Sequence, residues 1–476
     1  MLFQTQNYEG VLEEYEELYN KDPGNLDIAL PYAQLLMARG KKEKASKIYE
    51  QLSKDQPDER RIYESLVDYY GNRQNIKAKR QALRKMQEQF PDDISLMKRI
   101  AQTYEQEDKW EYARAVYDTV KVMKGESKWL AISVAETYLR EDSLNAADNI
   151  YEQALNNAPE DPELLRLRGK LQEKKEDWSA AENTYKMLVT VSDSSYGYSQ
   201  LGKAQFKLGK RDYSYSNFNK AIENGSTDPE TYFLLSKVYA DRNEGERAFP
   251  SAVRALRMAL QNVQELQNAL TGKLEGNSDI SALQGTEIEA QALGRNNKLA
   301  IDIFHFITST FTEKKVMPLM QTLQKDYSQS GRLLMMIGKY YLEEELIQDG
   351  IALIKKSVRV SPNLEEAHKI LGKYYSETDQ KVKAIQAYER ALSAAPQDKV
   401  AYMQLIELYR GIGKLNQLCD RWMAQYRANS NNQVLKESLI AALHKADCFD
   451  RCKKSDRRIT TRKESIKENF GKFDLL

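Results

Sequence analysis

Residues 365–398 read EEAHKILGKYYSETDQKVKAIQAYERALSAAPQD. His368, Leu371, Gly372 and Tyr375 follow one another at intervals of three, one and three residues, and Ala384, Tyr388 and Ala391 at four and three. That spacing puts each set on one face of a helix. A polar stretch from Ser376 to Lys381 separates the halves, and Pro396 closes the second. The segment predicts a helix A, a turn, a helix B and a stop.

The same pattern recurs along the chain at about 34 residues, a period that marks stacked helical repeats. Gly338, Tyr341 and Pro362 stand in register one step upstream. Farther up come Tyr232, Tyr239, Ala248 and Ala255, then Gly202, Phe218 and Ala221, then Gly169, Ala181 and Tyr185. Ala135, Tyr138, Ala147, Tyr151, Ala154 and Pro159 repeat it, as do Ala101, Tyr104, Ala113 and Tyr117. Tyr63, Leu66, Tyr70 and Pro91, and before them Ala45, Tyr49, Leu52 and Pro57, complete the series. Small residues belong where two helices approach closely, and large ones fill the space between. One unit cannot bury its own apolar face, so neighbours must stack.

On these residues the chain resembles the tetratricopeptide repeat, whose pattern is W-x2-L-G-x2-Y…A-x3-F…P. Repeats start near residues 26, 60, 94, 128, 162, 195, 229, 331 and 365, with weaker units near 297 and 399. The resemblance covers most of 11–428. It implies an all-α fold, an α-solenoid superhelix of tandem helix–turn–helix units. It also implies partner binding along a concave groove, although such repeats serve unrelated partners.

Composition agrees with a water-facing chain. Of 476 residues, 41% are hydrophobic and 30% charged, and 71 Lys and Arg nearly cancel 70 Asp and Glu. Near-neutrality gives no general pull toward nucleic acid. Three cysteines make no disulfide framework. No apolar run reaches the roughly 18 residues of a membrane helix, and Met1–Asn7 does not read as a signal peptide. A cytoplasmic location is the expectation, with a periplasmic or membrane-associated one if the N-terminus is truncated.

The pattern breaks in three places. Val11, Tyr15, Leu18 and Pro23 form a B helix whose A helix is missing, so this half-repeat is a candidate for self-association. Residues 271–286 (TGKLEGNSDISALQGT) read as a loop, dividing an array over 1–270 from a second over 287–430 at a changed angle. Pro250 and Pro318, at one offset within their B helices, are expected to mark kinks or late helix starts. A capping helix is expected over 431–446, and 447–476 is a basic, flexible tail.

No catalytic or cofactor motif appears, and no enzyme activity is expected: GxSxG, HExxH, the P-loop and GxGxxG are all missing. His444, Cys448, Cys452 and Asp456 share one helical face but span too far along it to converge on a metal. His368 belongs in the large packing slot of its repeat, and Cys419 between helices.

One step beyond the small slot of helix A, five repeats carry lysine: Lys170, Lys203, Lys237, Lys339 and Lys373. These residues should face the groove, with Arg166, Arg332 and Lys369 beside them. Earlier repeats place Gln34, Asp68, Gln102 and Glu136 there. The groove is thus expected to turn basic from about 166 to 373 and to hold acidic segments. Lys98 and Trp129 come second as contacts, and Tyr196 and Phe233 could stack on a partner. The function expected is a non-enzymatic scaffold binding an extended or helical segment of another protein. The alternatives are a targeting or regulatory subunit of an enzyme complex, a self-assembling scaffold and, less favoured, RNA binding.

Overall fold

The computed structural model describes residues 8–72, 74–276, 280–429 and 431–446. All regular structure among them is helical. The chain forms two compact units, Met1–Ile303 and Phe304–Leu476.

The first unit opens with a lone B-type helix, α1 (Tyr8–Lys21). A/B pairs follow: α2 (Leu26–Ala38) with α3 (Lys42–Asp55), α4 (Arg60–Asn72) with α5 (Ile76–Gln89), and α6 (Ile94–Glu105) with α7 (Trp110–Lys124). Next come α8 (Lys128–Arg140) with α9 (Leu144–Asn157), and α10 (Pro162–Lys174) with α11 (Trp178–Val191). Then α12 (Ser195–Lys207) pairs with α13 (Arg211–Glu223), and α14 (Pro229–Asp241) with α15 (Gly245–Gly276). Helix α16 (Ile280–Thr310) holds the division between the units.

The second unit continues with α17 (Glu313–Asp326), the pair α18 (Gly331–Glu343) and α19 (Ile347–Val360), and the pair α20 (Glu365–Glu377) and α21 (Lys381–Ala394). Helices α22 (Lys399–Gly411), α23 (Leu415–Ala428) and α24 (Gln433–Lys445) complete it. Ten A helices begin at the repeat starts read from the sequence, and position 297 falls inside α16.

Each pair is closed by the same three devices. Carboxylates or amides start several A helices: Asp161 accepts from the amides of Glu163 and Leu164, Asp228 from Glu230 and Thr231, and Asp398 from Val400 and Ala401. Such caps contribute about 1 kcal/mol each. Small residues at the eighth A-helix position let a large B-helix side chain lie against the backbone. A Cβ on Gly202 would fall 2.7 Å from the Phe218 ring, and one on Gly372 equally close to Tyr388.

The third device is the turn from A to B. Gly40, Gln74, Asp108, Asp142, Glu176, Gly209, Asn243, Glu345, Asp379 and Gly413 all hold φ between +55° and +76°. The amide after each reaches back to a carbonyl five residues earlier, as Lys109 does to Tyr104 and Leu346 to Tyr341. This is the hydrogen-bond pattern that ends a helix on a left-handed residue.

Three expectations need correction. The loop over 271–286 is helical where described: α15 runs to Gly276 and α16 begins at Ile280, with 277–279 outside the described residues. Once a helix is nucleated on packed residues such as Ala259, Leu260 and Val263, extending it costs little. The division between units accordingly lies at 303/304, inside α16. Of the two readings of Pro250 and Pro318, the late helix start is corrected: both lie inside helices that start five residues earlier, at Gly245 and Glu313. The capping helix is present as α24, with Leu435, Leu439 and Leu443 buried. Cys448, Cys452 and Asp456 and the tail from 447 lie outside the described residues. No described helix is long and apolar enough to cross a membrane.

Candidate partner-binding face

Helix A presents its ninth residue one step past the close-packed slot, on the face that the lysine series should share. In the first unit Lys98 Nζ lies 5.3 Å from the Trp129 ring centroid, and Trp129 meets Tyr117 edge-on at 6.3 Å. Lys170 Nζ lies 5.6 Å from the ring of Tyr196. Lys237 Nζ is 4.3 Å from Phe233, which is itself buried. Cation–ring placement of this kind contributes about 0.5–1 kcal/mol at exposed sites.

The charges divide into two classes. Lys203 bridges Glu173 at 3.1 Å and Glu230 at 3.0 Å. Burial works against its charge, and the two carboxylates outweigh it, leaving its pKa raised. Glu173 also accepts from the Tyr185 hydroxyl at 2.5 Å. Lys203 is thus a structural clasp between repeats. Its partners stand 30 and 27 residues away in sequence, too far for helix-face spacing to reveal.

Arg166, Lys170 and Arg295 form the other class, with no ion pair to a carboxylate among the described residues. Lys170 is exposed, yet its pKa is lowered, first by desolvation and then by Arg166 and Arg295, with Glu173 opposing. Arg295 comes from α16, which therefore lies within electrostatic reach of α10. Asp302, two turns on, reaches Lys237, whose pKa burial lowers while Asp302 opposes. The sequence reading did not single out Arg295, because a residue on an irregular helix has no repeat register to place it. The Tyr196 hydroxyl is pushed up to about 12, chiefly by burial, with Arg166 and Lys203 acting in the opposite direction.

The earlier repeats differ in sign. Burial raises the pKa of Glu136, and Glu105 nearby raises it further. Arg99 is engaged by Glu64 through two bonds of 2.7 and 2.8 Å.

In the second unit the basic series is largely neutralised. Lys339 pairs with Glu366 at 2.6 Å, and Lys369 with Glu365 at 2.5 Å and Asp398 at 2.8 Å. Lys373 is exposed, its nearest carboxylate, Glu377, at 3.9 Å, and Arg332 is exposed as well. Of the expected lysine and arginine series, Lys203, Lys339 and Lys369 make ion pairs with carboxylates of neighbouring helices, whereas Lys170, Lys373 and Arg332 are exposed. His368 does occupy its packing slot, buried with Nε2 2.7 Å from the Pro362 carbonyl oxygen, and Cys419 is buried.

Comparison with known proteins agrees with the repeat. Residues 2–67 match a tetratricopeptide repeat family model. No curated protein sequence matches the chain. Among solved structures, YrrB, described as a TPR protein with an unusual peptide-binding site, is 19% identical, with 38% of this chain and 93% of that one covered and a TM-score of 0.32. The Naa15/Naa10 complex bound to HypK-THB gives 12% identity, 95% and 79% coverage and 0.37. The C-terminal part of a TPR repeat-containing protein from Cytophaga hutchinsonii gives 13% identity, 57% and 98% coverage and 0.34. At such scores the all-α repeat architecture stands on the chain's own helix pairs.

Proposed function

We propose that this tetratricopeptide-repeat chain is a protein–protein interaction scaffold, without catalysis of its own, that holds an acidic segment of a partner against the A-helix face of its first unit. One observation carries the reading: Arg166, from the same helix as Lys170, and Arg295, from α16, both act to lower the Lys170 pKa against Glu173, and none of the three makes an ion pair among the described residues, while Lys203 beside them is bridged by Glu173 and Glu230. Holding like charges together is unfavourable, and an anionic segment would relieve it. Tyr196 and Trp129 offer aromatic surface on the same helix faces, where such residues make favourable anchors.

The test is fluorescence anisotropy of a labelled Glu-rich peptide against the wild-type chain and the triple variant Arg166→Glu, Lys170→Glu, Arg295→Glu. At about 0.2–1 kcal/mol for each of three exposed contacts, affinity should fall about 3- to 100-fold. Added salt should weaken the wild-type complex. Equal affinity for a variant with an unchanged helical spectrum would retire the proposal.

A further inference from the structure

Several B helices carry a carboxylate at their ninth residue: Glu16 in α1, Glu50 in α3, Asp118 in α7, Glu152 in α9 and Glu389 in α21. A cation from a following helix meets three of them. Lys44 reaches Glu16 at 3.4 Å, Arg168 reaches Glu152 at 3.0 Å and Arg421 reaches Glu389 at 2.7 Å. Glu50 and Asp118 make no ion pair among the described residues. Asp118, itself exposed, also lines a hollow.

That hollow holds about 230 Å³, and Ala131, Val134, Ile150, Ala154 and Leu164 make its apolar wall. The equivalent hollow between α21 and α23, of about 540 Å³, is lined by both Glu389 and Arg421. Arg421 is the seventh residue of α23, and the seventh residue of α9 is Ile150. The hollow beside α7 therefore keeps the carboxylate but has aliphatic surface where the other repeat supplies an arginine.

The remaining charges at the hollow have partners. Glu126 pairs with Lys121 at 2.5 Å and accepts from Asn157 at 2.8 Å, and Lys128 is shared by Asp161 at 3.2 Å and Glu163 at 2.9 Å. With Asp118, four carboxylates face these two lysines, so this part of the surface favours a cation. Arginine suits both halves of the hollow. Its stem lies along apolar surface while the charged head stays at the water's edge. Its planar fork matches a carboxylate with two parallel bonds.

We propose that the hollow beside Asp118 receives the side chain of an arginine presented by a partner protein. Its stem lies against Val134 and Ile150, and its guanidinium donates to the Asp118 carboxylate as that of Arg421 does to Glu389. The hollow shares no residue with Arg166, Lys170 and Arg295, so this proposal and the acidic-segment reading stand or fall separately.

The probes are N-acetyl-arginine methylamide and its citrulline counterpart, which has the same shape without the charge. Both are titrated into the full chain by saturation-transfer NMR, and a crystal soak locates the arginine probe. Wild type should bind the arginine probe at millimolar concentration, with density beside Asp118. The citrulline probe should bind about 3- to 10-fold more weakly for want of the charged pair. Asp118→Asn, a change at an exposed position, should bring the arginine probe down to the citrulline value. Ile150→Arg should supply the arginine from within the chain and abolish binding. No binding by wild type at millimolar probe, density elsewhere, equal affinity for the citrulline probe, or unchanged affinity in whichever variant keeps the native helical spectrum would overturn the proposal. Equal affinity for N-acetyl-lysine methylamide would also overturn it, marking the surface as an unselective cation site.

Discussion

A Cβ built on Gly169 would fall 2.4 Å from Cε1 of Tyr185. The phenol of that same tyrosine donates to Glu173 one turn farther along α10. The ring is thus seated on a backbone that only glycine leaves bare, and its tip is tied to the carboxylate that also holds Lys203. Packing between α10 and α11 and the charge clasp between α10 and α12 share one residue.

Gly169→Ala should therefore destabilise the first unit by about 1–3 kcal/mol, the range for overpacking a filled site. Tyr185→Phe should cost about 1–2 kcal/mol, because it leaves Glu173 short of a donor. Urea denaturation followed by circular dichroism measures both, and a neutral Gly169→Ala would show that the ring moves aside freely.

The left-handed turns predict gains. Glu176 and Glu345 hold φ of 58° and 61° without the freedom of glycine. A left-handed L-residue costs roughly 1–2 kcal/mol, partly offset by the chain entropy that glycine adds to the unfolded state. Glu176→Gly and Glu345→Gly should each stabilise by about 0.5–1 kcal/mol. A lowered denaturation midpoint for both would mean that their side chains hold the turn in some other way.

Lys203 and Lys170 should separate stability from binding. Lys203→Ala strips two carboxylates of their cation in a half-buried place and should cost about 2–3 kcal/mol. Lys170→Ala, at an exposed position, should stay within about 0.5 kcal/mol. Binding of the Glu-rich peptide should respond in the opposite order. If Lys203→Ala weakens the peptide and leaves the melting temperature alone, Lys203 belongs to the binding face after all.

Acid should act on the clasp at Glu107. Its side chain accepts from Arg80 at 2.7 Å and Lys109 at 2.9 Å, and these bonds lower its pKa from 4.5 to about 2. Arg80 is buried and also donates to Thr103 and lies 3.8 Å over the Tyr104 ring. A depressed folded-state pKa contributes stability that is present above 4.5 and is lost as pH falls toward 2. Denaturation midpoints measured from pH 5 to pH 2 should decline, and Glu107→Gln should flatten part of that decline. A parallel decline in wild type and variant would remove Glu107 from the account.

Much of the architecture was legible without coordinates. Stacking demands the same small and large residues at the same places in every unit, so Gly372 and Tyr388 announce a helix pair by spacing alone. His368 and Cys419 were readable as buried for the same reason.

What spacing could not reach is whatever depends on two residues about thirty positions apart. A lysine on the expected face reads the same whether or not a carboxylate from the next repeat meets it, and Lys203 and Lys170 differ only in that. The glycines and polar residues of 271–286 argue locally for a loop, but helix α15 is nucleated by packing upstream and carries on through them to Gly276. Period and side-chain size, properties of the chain read in order, determined the repeat. Which charges are satisfied and where the helices stop were decided by neighbours in space, because electrostatics and packing act across distance and not along the sequence.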